Sequence, residues 1–71
     1  MNETVTATFA SEDAMKTAVD DLLGVGIPQE KFFVDKSSHQ IKVIAAGDTA
    51  AEILVLLKSH NPTKIDERKW T

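Results

Sequence analysis

The hydrophobic pattern changes period within the first two dozen residues, and that change removes most of the ways a short chain can fold. From Thr4 to Phe9, "TVTATF" alternates strictly: Val5, Ala7 and Phe9 fall on one side, Thr4, Thr6 and Thr8 on the other. A two-residue period rich in β-branched side chains marks a strand with one buried face. In "SEDAMKTAVDDLL" the spacing becomes helical: Ala14, Ala18 and Leu22 lie one turn apart, with Met15, Val19 and Leu23 beside them. A strand that feeds straight into a helix fits neither a helical bundle nor a β-sandwich. It points to helices layered on a sheet.

The punctuation supports this reading. Ser11 suits the helix N-cap, since its hydroxyl can accept a bond from an unpaired backbone N–H. Glu12 and Asp13 follow at the positive end of the helix dipole. Gly24 or Gly26 is expected to end the helix in the left-handed conformation, and Pro28 prevents its resumption. "KFFVDK" and "QIKVIAA" read as two further strands joined through "SSH". In the second of them Ile41, Val43 and Ala45 share a face, and Gln40, Lys42 and Ile44 share the other. Either Phe32 or Phe33 points inward; their adjacency forbids both.

"GDTAAEILVLLKSHN" reads as a second helix, with Asp48 as N-cap, Asn61 closing the end and Pro62 beyond it. Its apolar stripe is Ala50, Ile53, Leu54, Leu56 and Leu57, and Lys58 and His60 fall near the negative end of the dipole. "TKIDERKW" reads as a strand whose charges suit a sheet edge. If Ile65 faces inward, Glu67 does too, so a bulge or an early strand end is expected there.

The order is β-α-β-β-α-β, the split βαβ arrangement of ferredoxin-like domains. Right-handed crossovers then place both helices on one face of a four-stranded antiparallel sheet. The first and third strands lie centrally, and one α+β domain spans residues 1–71. Thr4, Thr6, Thr8, Gln40, Lys42 and Ile44 are left on the uncovered face.

With 71 residues, such a chain buries only about 60% of its unfolded surface, so help from a partner is expected. The absence of cysteine excludes disulfides and thiolate metal sites. A net charge of −3 leaves no basic footprint, which argues against a nucleic-acid partner. The longest apolar run, "ILVLL", falls far short of the ~20 residues of a membrane span. No signal peptide or lipidation motif is read at the N-terminus, so a cytoplasmic protein without a membrane partner is expected.

Few residues invite a chemical reading. Asp35, Ser37, Ser38 and His39 contain the residue types of a catalytic triad, but a triad needs an oriented histidine and oxyanion donors, and one hairpin turn supplies neither. The histidines, His39 and His60, are too far apart in the pattern to found a zinc site. The acidic pairs Glu12–Asp13, Asp20–Asp21 and Asp66–Glu67 are adjacent in sequence and suit solvation. No catalytic residue, metal ligand or cofactor is therefore expected. Phe33, Ile44 and Trp70 fall outside the obvious core and are the candidate interface. Ser11 and Asp48, at the two helix starts, are the positions where a small ligand would bind.

Several families share this layout. Heavy-metal domains of the metallochaperone type need a Cys-x-x-Cys, and the chain has no cysteine. RNA-recognition domains need aromatics on the third strand, and "QIKVIAA" has none. Acylphosphatases carry an arginine after the first strand, whereas Arg68 is the sole arginine here. Peptidoglycan-binding SPOR domains have an aromatic followed by a serine-led helix, as in "FASEDA". ACT regulatory domains are similar in size and order, and usually bind an amino acid near a glycine after the first strand, where this chain has "FASED". The first half, "TATFASEDAMKTAVDDLLGVGIPQEKFFV", resembles bacterial general-stress-protein domains of the heat-induced type in its F-x-S-x-x-x-A and L-x-x-x-G spacing. That family brings no catalytic residues to carry over. The function expected is a small interaction or regulatory module without catalysis, a homodimer or the binder of another protein; the alternative is an ACT-like small-ligand sensor.

Overall fold

The computed structural model describes residues 2–70, except for the side chain of Trp70. The elements follow the expected order: β1 (Asn2–Thr8), α1 (Glu12–Gly24), β2 (Phe32–Asp35), β3 (Gln40–Ala46), α2 (Gly47–Lys58) and β4 (Lys64–Trp70), with a single 3-10 turn over Gln29–Lys31 before β2. The strands form one antiparallel sheet in the order β2-β3-β1-β4, the ferredoxin-like topology.

Both helices pack on one face. Val5, Ala7 and Phe9 meet Ile41 and Val43 from the neighbouring strand, under Met15, Ala18 and Leu22 of α1 and Ile53 and Leu57 of α2. The period-two and helical rows thus interlock as one core. Leu54 and Leu56, at the margins of the α2 stripe, are only partly buried against it. Phe32 is the phenylalanine that points inward, because the register sets it opposite Val43. It is 7% exposed, whereas Phe33, opposite Lys42, is 60% exposed.

The ends of the helices have local causes. The Ala14 N–H donates to Ser11 Oγ at 3.1 Å, so Ser11 caps α1 as expected. Gly26, at φ +94°, takes the left-handed conformation, and the Ile27 N–H returns to the Leu22 carbonyl at 3.0 Å. Asn61 does the same after α2 at φ 54°.

Asp48 is not the N-cap of α2. That position falls to Ala46, whose side chain accepts nothing. The physical reason is that β3 runs to Ala46 and α2 starts at Gly47, so the last strand residue has to serve as the cap. Asp48 lies in the first turn, where its charge still suits the dipole.

β4 also departs from expectation, since it has neither a bulge nor an early end. It pairs with β1 without interruption from Lys64 to Trp70. Ile65, Glu67 and Lys69 do share the helix-side face, but β4 lies at the sheet edge, and Glu67 and Lys69 remain exposed there. An inward phase at an edge does not impose burial. β1 in turn starts at Asn2, which places Glu3 in the buried row with Val5 and Ala7.

Candidate interaction surface

The sheet face opposite the helices is built in cross-strand rows. One row runs Phe33–Lys42–Thr6–Asp66, and a second runs Ile44–Thr4–Arg68. A third sets Gln40 beside Thr8, where Gln40 Nε2 donates to Thr8 Oγ1 at 3.3 Å. Alternation along each strand puts these side chains here, since their neighbours in sequence point to the helix side of the sheet. The centre is polar: Thr4, Thr6, Lys42, Asp66 and Arg68 line a shallow concavity of about 770 Å³. Lys64 Nζ and Asp66 Oδ2 pair at 3.9 Å on its margin.

Of the three expected interface residues, the structure brings two together. Phe33 on β2 and Ile44 on β3 occupy diagonal positions on this face. Phe33 is largely exposed and Ile44 partly so. The side chain of Trp70 lies outside the described residues.

The apolar character of this surface concentrates at the free edge of β2. Phe33 and Val34, at 60% and 39% exposure, stand next to each other on opposite faces of that strand. A groove of about 380 Å³ follows the edge on the open side, lined by Phe33, Val34, Asp35, Gln40 and Lys42. On the helix side Met15, Val19, Val34 and Lys36 contribute to a second groove of about 350 Å³.

The ligand positions read from the sequence are not brought together. β1 and β3 are antiparallel, so Ser11, beyond the end of β1, and Asp48, beyond the end of β3, sit at opposite ends of the sheet. Ser11 is already engaged as a cap. A concavity of about 300 Å³ does lie by the start of α2, with Ile27, Lys31, Ile44, Thr49 and Ile53 among its lining.

The residues of the hairpin turn have structural tasks. Asp35 Oδ1 accepts from the Ser37 N–H at 3.0 Å and from Ser37 Oγ at 2.7 Å. These bonds from Ser37, with further ones from Ser38, hold the Asp35 carboxyl below its ordinary pKa. His39 adopts φ 54°, and its carbonyl accepts from the Phe9 N–H at 2.8 Å, which ties the hairpin to the end of β1. The aspartate is thus engaged by a serine rather than by the histidine. His60 Nε2 meets Asp21 Oδ2 at 2.5 Å and links the turn after α2 to α1. Among the described residues no three acidic or histidine side chains gather where a metal ion could sit. Nor is any helix among them long and apolar enough to cross a membrane.

One feature escaped the sequence reading. Glu3, 5% exposed, has a buried Oε1 without a hydrogen-bond partner, and Glu67 lies beside it on β4. A hydrogen bond shared with the Glu67 carboxyl, then burial, then the Glu67 charge raise the Glu3 pKa, while Lys69 opposes the rise. The signal was present in the alternation: Glu3-Val5-Ala7-Phe9 extends the buried row one step back, and Ile65-Glu67-Lys69 repeats it on β4. Comparison of the chain with protein families, with curated proteins and with solved structures returns no significant match.

Proposed function

We propose that this domain is a non-catalytic interaction module of the cytoplasm that works by associating with a second copy of itself. One observation carries the reading: the helices cover a single face of the sheet, and Phe33 stands 60% exposed at the free edge of the other. An exposed aromatic of this kind, rimmed by the charges of Lys42 and Asp35, has the composition of an interface anchor. The resemblance of residues 6–34 to heat-induced stress-protein domains, which offer no assigned catalytic residues to carry over, is in keeping with the same reading. Sedimentation equilibrium across micromolar to millimolar concentrations is the test. A mass of two chains is the expected result, and a monomer throughout overturns the reading.

A second reading, a small-ligand sensor of the ACT type, is favoured by the concavity at the start of α2, where the Ala46 cap leaves the first-turn N–H groups without a side-chain acceptor. Titration with a panel of amino acids and nucleotides then shifts the amide signals of Thr49 and Lys31. A flat response excludes it.

A further inference from the structure

We propose that two copies join through their β2 strands, antiparallel and centred on Phe33, extending the four-stranded sheet into a continuous sheet of eight. This rests on the self-association reading above and names the surface and the register that carry it. The argument begins with "EKFFVDK", residues 30–36. In a twofold antiparallel pair, residues equally far from the centre on either side face each other. About Phe33, Phe32 faces Val34 of the partner copy and Phe33 faces its own counterpart within β2, while Glu30 and Lys31, in the 3-10 turn before the strand, come to the end where the partner copy carries Asp35 and Lys36. Charges of opposite sign come together at each end, and each apolar residue meets an apolar one.

Neighbouring registers lose this. Centred on Val34, the strand sets Phe33 against Asp35 and Phe32 against Lys36; centred on Phe32, it sets Lys31 against Phe33 and Glu30 against Val34. The complementarity is therefore specific to one alignment. The fold makes that alignment available. β2 is an outer strand, so its free side presents unpaired backbone groups. Glu30 and Lys31 belong to the turn that leads into β2, and Lys36 to the hairpin that leaves it, so the charged pairs close the two ends of a short apolar strand. The open-side groove beside Phe33 and the helix-side groove beside Val34 receive the partner's side chains on both faces.

The middle of the opposite edge is unsuited to the same pairing. Centred on Glu67, β4 brings two glutamates together; centred on Asp66, it sets Lys64 against Arg68; centred on Arg68, it opposes two arginines.

The experiment is sedimentation equilibrium of the whole chain and four variants, with amide spectra confirming that each is folded. Val34→Lys puts a charge at the edge without touching the open face, and weakens the dimer by about 30-fold through two symmetric cross-strand pairs. Glu30→Lys and Lys36→Glu each weaken it by about tenfold, and the double variant returns to within about threefold of the parent, because the pairs re-form with the signs exchanged. Ile44→Glu, on the open face away from the edge, leaves the mass unchanged. If Ile44→Glu dissociates the dimer and Val34→Lys does not, the copies stack face to face; this register is overturned while self-association stands. Failure of the double variant to recover also overturns the register. A parent chain that is monomeric at millimolar concentration removes both readings.

Discussion

The two edges of this sheet solve the same problem in opposite ways. β4 pairs with the full length of β1, and its outward row is Lys64, Asp66 and Arg68. Even its helix-side row ends in Glu67 and Lys69. β2 pairs over only four residues, and its two middle positions are Phe33 and Val34. Charges along an edge disfavour an added strand, which has to match or bury each of them, so β4 is guarded against further pairing. β2 has no such guard between its terminal charges. A free edge that is short and apolar, set against one that is long and charged, shows that protection here is local to one side of the domain, and the proposed pairing uses the other.

The contrast can be broken most forcefully at Phe32. This residue is the inward anchor of β2, and Phe32→Ala is expected to cost about 3 kcal/mol through lost burial and the cavity left behind. Urea unfolding measures it. A loss below about 1 kcal/mol would mean that backbone pairing alone holds β2, and the two edges would then differ less than their side chains suggest.

A smaller effect is expected at the β4 side, where the charged edge meets a buried acid. The pKa of Glu3 is raised above its ordinary value of 4.5, chiefly by the bond to Glu67. A group whose pKa is raised in the fold favours folding when protonated. Its contribution is complete below the ordinary value and is lost as pH rises through the folded one. The contribution of Glu3 to the stability of the parent therefore falls as pH climbs above 4.5. Glu67→Gln removes the opposing charge and keeps an amide able to donate to Glu3, so the urea midpoint rises at pH 7 and the slope flattens. An unchanged pH profile would mean that Glu67 has no influence on the buried carboxylate.

The smallest effect belongs to the hairpin beside the β2 edge. The Asp35 pKa is lowered from 3.8 by bonds from Ser37 and Ser38. Its contribution is present above that ordinary value and is lost as pH falls through the folded one. Asp35→Ala thus lowers the thermal midpoint slightly at neutral pH, and by less as the pH falls below 3.8. Equal losses across that range would assign the effect to turn geometry rather than to the carboxylate.

The sequence by itself determined the order of the elements, the face each residue row takes, and the Ser11 cap, because period two, helical spacing and a capping hydroxyl are set by neighbours a few positions away. The symmetric placing of Glu30 and Lys31 against Lys36 and Asp35 about Phe33 is likewise written in seven consecutive residues, and the β-α-β-β-α-β order already sets β2 at an edge. Register decided the rest. It chose Phe32 over Phe33 by setting it opposite Val43. It also carried β4 straight through Glu67, since an inward phase at an edge leaves a charge in water. The absence of a connector between β3 and α2 took the cap from Asp48. The closing of β1 against β4 turned Glu3, one more acid near the start of the chain, into a buried carboxyl with another carboxyl beside it. The cap apart, these outcomes depend on what lies across the sheet, and separation along the chain says nothing about that distance.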